Sequence, residues 1–148
     1  MAELTRKELI MVINSAGQRP RLAGVDLSAL DIIRLDLENS NMRGASLQAS
    51  KMQEAILRTT NMTGVNMTGT QAPYADFHKA ILVAANLTLA NVQGARLTEV
   101  NLTNAILNGA NLQGANLKGA TVTGVQFDEA TVWPDGKRGS AGNPNNYV

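Results

Sequence analysis

Catalysis or metal binding would need a histidine, a thiolate, or a nucleophile set beside a base. The chain holds one histidine, His78, and no cysteine. A single imidazole without a second ligand is read as a solvated group rather than a general base or a metal site. The serines and threonines lie in no G-x-S-x-G, P-loop or dinucleotide-binding pattern. Four N-x-T sequons begin at Asn61, Asn66, Asn86 and Asn101. They recur with the rest of the sequence grammar, so they say little about glycosylation. The expectation is a protein that is not an enzyme, with no cofactor and no bound metal.

Composition narrows the remaining classes. The formal net charge is +1, too small to pull the chain toward nucleic acid or an anionic membrane. No apolar run is long enough to span a bilayer. Glu3 and Glu8 stand where a secretory leader would be basic and apolar, which argues against one. Without cysteine there is no disulfide framework. These points together predict a cytoplasmic protein.

The elements that must position any binding residue follow from one period. Every fifth residue from Leu22 to Val132 is aliphatic or Phe, except Ala72. A helix repeats at 3.6 residues and a strand at 2, so neither explains five. A short fixed period over most of a chain means stacked coils. Two residues before most of the large side chains stands a small one, commonly Ala, and between them usually a polar residue, often Asn or Asp. That is in–out–in alternation, a minimal strand. The other two positions are rich in Gly, Thr, Asn and Gln, and suit a corner. Aromatics make up only 3% of the chain, as a narrow tube lined with aliphatics requires.

This grammar resembles the pentapeptide-repeat family, whose consensus is A-(D/N)-L-x-x. The match is close from Ala110 to Ala120, ANLQGANLKGA, and runs from residue 20 to 132. The resemblance implies an all-β solenoid, a right-handed quadrilateral β-helix of about five to six coils with four pentads each. The pentad spacing alone also permits a triangular coil of three.

Both ends of a coil stack leave raw edges that need covering. Thr5 and Glu8 form a capping box, with Leu4 and Leu9 placed as a hydrophobic staple. Leu9, Ile10, Val12, Ile13 and Ala16 make an apolar stripe, and Gly17 ends it. Residues 1–19 are therefore expected to carry a capping α-helix from about Arg6 to Ala16, ahead of the solenoid over 20–133. The order of helix, Ala16-Gly17-Gln18-Arg19 and then repeats resembles short cyanobacterial members of the family. Trp133, the only tryptophan, stands where the repeats stop. It closes the last coil or buries in a partner chain. Residues 134–148 read as a loose tail.

Four pentads per coil would sort the surface into four faces. The face of Leu37, Leu57, Phe77, Leu97 and Leu117 gathers Asp36, Glu38, Arg58, Asp76, Lys79, Arg96, Glu99 and Lys118, with His78. Residues 20 apart would be stacked, which pairs Glu38 with Arg58, Asp76 with Arg96 and Lys79 with Glu99. At Ala72-Pro73-Tyr74 the pattern breaks, and Phe77 is expected to lean in and fill the shortage. Outward Ile56, Ile81 and Ile106 step round the tube rather than line up. The candidate interaction surface is Tyr74, His78, Lys79, Arg58, Arg96 and Trp133. The partner is an unidentified protein, not nucleic acid or a membrane, and the chain is a monomer or a homodimer joined at its C-terminal end. The resemblance also implies an alternative, because fluoroquinolone-resistance members protect DNA gyrase and are described as DNA mimics. A DNA mimic needs a long, strongly negative rod, and this chain is short, slightly basic and mixed in sign.

Overall fold

In the computed structural model, which describes residues 2–17 and 19–148, the repeats wind into a tube. Parallel bridges join residues 20 apart along its length, from Arg21 with Asn41 to Ile106 with Gln126. One turn of the tube is therefore four pentads, and a triangular coil of three pentads is excluded. The large inward side chains from Leu22 to Leu117 are 0–2% exposed. Burying each such side chain contributes roughly 1.5–3 kcal/mol.

Residues 42–46 show where the five backbone N–H groups of a repeat go when the polar position is Asn. Met42 N donates to Asn61 O (2.8 Å) and Gly44 N to Thr63 O (2.9 Å), both in the following coil. Ser46 N donates to Val25 O in the preceding coil (3.1 Å), and Ala45 N closes the corner onto Met42 O (3.0 Å). The fifth group, Arg43 N, points away from both coils and donates to the side-chain oxygen of Asn41 (3.3 Å). The same local bond recurs from Ser28 N to Asp26 (2.8 Å), Thr88 N to Asn86 (3.0 Å) and Lys118 N to Asn116 (3.1 Å). An Asn or Asp side chain two residues upstream reaches that N–H in an Asx-turn, which Ser and Thr make more weakly. The polar consensus position thus has a structural cause. It also engages the side chains of all four sequon asparagines.

The corners are less dependent on glycine than their sequence suggests. The second corner residue has φ near +60° in every pentad from Gly24 to Gly124, and 12 of these residues are not glycine. Left-handed backbone costs an L-residue roughly 1–2 kcal/mol, so the ladder imposes the corner rather than the corner residue choosing it. At Gly94 and Gly109 an added side chain would also have to displace an exposed neighbour, Tyr74 or Leu89. A Cβ at Gly94 would run into the ring of Tyr74, and one at Gly109 would lie 2.7 Å from Leu89 Cδ2.

At the front, α1 (Arg6–Ala16) has the capping box: Glu8 Oε2 accepts from Thr5 N (2.7 Å) and Thr5 Oγ1 accepts from Glu8 N (3.3 Å). Leu9 is fully buried in the core, and Leu4, Val12 and Ile13 pack against it. Arg6 closes one raw edge of the first coil. Its Nη1 donates to Asp31 O (2.7 Å) and its Nη2 to Ile33 O (2.9 Å). A preceding coil would have supplied two backbone N–H groups at those oxygens, and the guanidinium fork replaces them.

At the back, the five-residue phase does not run to Val132. An extra residue enters after Phe127, so Asn111 bridges to Val132 rather than to residue 131. Thr131 takes the small inward site, Val132 turns outward, and Trp133 fills the large inward site at 1% exposure. Thr131 Oγ1 donates to Leu107 O (2.8 Å) as Thr70 Oγ1 donates to Leu47 O (2.7 Å), with the spacing longer by one. At the insertion Asp128 Oδ1 stands in for a ladder carbonyl and accepts from Gly109 N (2.8 Å). Residues 134–148, expected to be loose, fold back instead. Trp133 donates from Nε1 to Gly139 O (2.9 Å), stacks on Tyr147 at 5.8 Å and meets Phe127 edge-on at 5.1 Å. Two 3-10 turns, Gly139–Ala141 and Pro144–Asn146, shape this lid. Phe77 is fully buried in the same coil as Ala72, its aromatic volume pointing inward.

The role of the outward Asn and Asp can be tested on stability. Asn86→Ala should destabilise by about 0.5–1.5 kcal/mol, the net worth of one hydrogen bond. Ser46→Asn should raise the melting temperature, because the Ser46 side chain does not hold Gln48 N as an Asn would. Urea melts of both variants check this, and unchanged midpoints would show that the fifth N–H is equally well served by water.

Candidate interaction surface

The charged face is built on strands that present alternate residues outward. Asp76 and Arg96 precede the inward Phe77 and Leu97; Arg58, His78 and Thr98 follow the inward residue of their pentads. Asp76 lies at the centre, with its side chain 17% exposed. Its Oδ2 accepts from Arg58 Nε in the preceding coil (2.6 Å) and from Arg96 Nη1 in the following coil (3.4 Å). Its Oδ1 accepts from His78 N (3.0 Å). Burial by itself would raise the Asp76 carboxyl, but the His78 N–H and the two guanidinium groups hold it below the usual carboxylate range. The Arg58 guanidinium is held more basic by its hydrogen bond to Asp76 and by that residue's charge.

A second link runs between the rungs. Arg96 Nε donates to Thr98 Oγ1 (3.2 Å), and Thr98 Oγ1 lies 2.7 Å from His78 Nδ1. Lys79 and Glu99 meet at 3.5 Å across the adjoining corner.

Of the three ion pairs expected at a spacing of 20, Asp76 with Arg96 and Lys79 with Glu99 are present. Glu38 with Arg58 is not. Arg58 reaches forward to Asp76 and feels Glu38 only as a charge at longer range. One pair at that spacing is an addition to the sequence reading: Arg34 holds Glu54 with two bonds, 2.9 and 3.2 Å, from corner positions. The face brings together Arg58, Arg96, His78 and Lys79. Tyr74, 61% exposed, edges it from the opposite corner, with its ring laid over Gly94. Trp133 does not belong to the surface, because it is buried in its own chain and fills the core. Among the described residues no group of side chains is placed to hold a metal ion. No described helix is long and apolar enough to cross a membrane.

The Asp76 geometry sets a pH dependence. A carboxyl whose folded pKa lies below its unfolded value stabilises the fold above the unfolded pKa, about 3.9, and loses that contribution as pH falls through the folded value. Asp76→Asn should therefore lower the melting temperature at pH 7, with the gap to the parent narrowing below about pH 4. Thermal melts from pH 2 to 7 check this; a gap independent of pH would mean that the charge of Asp76 contributes nothing.

Comparison with known proteins adds the lineage. A sequence model described as Pentapeptide repeats matches eight copies over residues 21–58, 60–98 and 95–133. By sequence, no curated protein matches. Among solved structures the chain is similar to a pentapeptide repeat protein, Rfr23, from the cyanobacterium Cyanothece 51142. The TM-score is 0.79 at 23% identity, covering 86% of this chain and 98% of that one. It is also similar to QnrB1, a plasmid-mediated fluoroquinolone resistance protein, with a TM-score of 0.51 at 25% identity, covering 71% of this chain and 56% of that one. Given this match and a ladder that repeats every four pentads, the chain belongs to the pentapeptide-repeat family.

Proposed function

We propose that the chain is a non-catalytic, cytoplasmic interaction protein. It acts as a right-handed β-helix of five to six coils and binds a partner protein through its outer faces. The observation that carries this reading is the Asp76 cluster. Two arginines on different coils share one partly buried carboxylate, so their positions are set by the ladder rather than by free rotation. A partner meets charges already in place, which lowers the ordering cost of binding. The outward charges are mixed in sign, which gives specificity more than bulk attraction. Trp133 is occupied within its own chain, which favours a monomer over a dimer joined through that residue.

The likeness to QnrB1 supports a second reading, protection or inhibition of DNA gyrase. The net charge of +1 and the alternating signs on the charged face weigh against a DNA mimic. The two readings are separated by one pair of assays. Tagged protein is used to capture partners from its host at low and moderate salt, beside an Arg58→Gln/Arg96→Gln variant assayed well below its own, lowered melting temperature. A protein captured by the parent and lost with the variant is expected. Relief of fluoroquinolone inhibition in a gyrase supercoiling assay would reverse the ranking.

A further inference from the structure

Four arginines on this molecule are matched with carboxylates: Arg6 with Asp31, Arg34 with Glu54, and Arg58 and Arg96 with Asp76. Arg19, Arg21 and Arg43 are exposed and make no ion pair with any described residue. All three belong to the N-terminal end of a different face, the one built on Leu22, Met42 and Met62, with Arg43 beyond the edge of the groove that Arg19 and Arg21 line. Arg19 and Arg21 line a shallow groove whose other walls are Asn39, Ser40, Asn41, Thr59 and Asn61, none of them charged. Arg21 bridges to Asn41, and Asn41 to Asn61, so the groove follows the stacking direction. The acidic residues Asp36 and Glu38 line an adjoining groove against α1, and the two grooves meet at Asn39.

We propose that this groove binds oxyanions carried by an acidic peptide segment of a partner. Arg21 precedes the inward residue of its pentad and Arg43 follows the inward residue of the next coil. They are offset by one rung and two strand residues, about 8 Å at backbone level. Carboxylates at alternate positions of an extended peptide repeat every 6.6–7 Å or so on one side. A Glu-x-Glu segment therefore places two carboxylates within reach of the two guanidinium forks. Each fork accepts a carboxylate through paired N–H bonds. The side-chain NH2 groups of Asn41 and Asn61, whose oxygens already accept from Arg43 N and Thr63 N, are left to donate to peptide carbonyls. The interaction is exposed, so it weakens with salt. It uses a face distinct from the Asp76 cluster and stands whether or not that cluster binds a partner.

The test is an amide-resolved NMR titration of the full chain at about 50 mM salt, where screening is modest. The probes are a seven-residue peptide of alternating glutamate and glycine, its glutamine counterpart, inorganic phosphate, and a short DNA duplex. The glutamate peptide should shift resonances in residues 19–24, 39–43 and 59–63, and the glutamine peptide should not. Arg21→Gln/Arg43→Gln should weaken binding at least about tenfold, two charge-assisted contacts being lost, while the melting curve stays unchanged. Arg58→Gln/Arg96→Gln should leave it unaltered, and this arm separates the groove from the charged face. Shifts centred on Asp76, or undiminished binding by the Arg21/Arg43 variant, would overturn the proposal. So would phosphate giving the same shifts at equal concentration, or the duplex binding as tightly, since either outcome makes the site a general anion contact rather than a peptide groove.

Discussion

The molecule depends on a backbone ladder that repeats every four pentads. Three of the five N–H groups in each pentad bond to neighbouring coils, one closes the corner, and one relies on a side chain. That division dictates the sequence. The inward positions must be small and large in turn, because four strands face each other across a narrow interior. The outward position beside them must be Asn or Asp where the fifth N–H is to be held by the protein. The ladder is strong enough to impose left-handed corners on Ala29, Thr59 and Glu99, residues that would not choose that backbone by themselves.

Because the coils are interchangeable, their ends carry the individual solutions. Arg6 imitates two backbone donors at the front. At the back, a single inserted residue shifts the register so that a tryptophan replaces an aliphatic in the last inward site. Asp128 then replaces the carbonyl that the insertion displaces. The tail packs over Trp133 because a residue that large, at an open end, leaves a wide apolar surface to cover. Both ends use polar side chains as substitutes for missing backbone, the same substitution that Asn and Asp make locally in the repeats that carry them.

Much of this was legible in the sequence, and the misses have physical causes. The period of five located Leu22, Phe77 and Leu107 in the core because the large inward site takes apolar side chains, whereas the small one also admits Ser and Thr, as at Ser50 and Thr70. It left three or four pentads per coil open, since both shapes give the same inward pattern. The backbone bridges at a spacing of 20 decide between them, and two of the three ion pairs expected at that spacing, Asp76 with Arg96 and Lys79 with Glu99, follow from it. Arg58 went to Asp76 rather than Glu38 because a long side chain can reach either neighbouring coil, and the partly buried carboxylate gains more from it. Val132 kept the five-residue phase while its side chain turned outward; an insertion that lands an aliphatic on the next expected position leaves no trace in the pattern. Arg34 and Glu54 did not stand out, because corner positions carry a turn signal that hides a charge pairing. Of the candidate surface, Arg58, Arg96, His78 and Lys79 were brought together, whereas Trp133 went to the core.

The account rests on the pairing of each strand with the strand four pentads further on. Scalar couplings transmitted through hydrogen bonds, measured by NMR on labelled protein, report donor and acceptor directly. Leu82 N should couple to the carbonyl carbon of Asn101, with which it bonds at 2.8 Å, and Ala84 N to that of Thr103, at 2.9 Å. Coupling of Leu82 N to the carbonyl of Arg96 would mean a coil of three pentads, and would contradict the four-sided tube together with every face assigned to it.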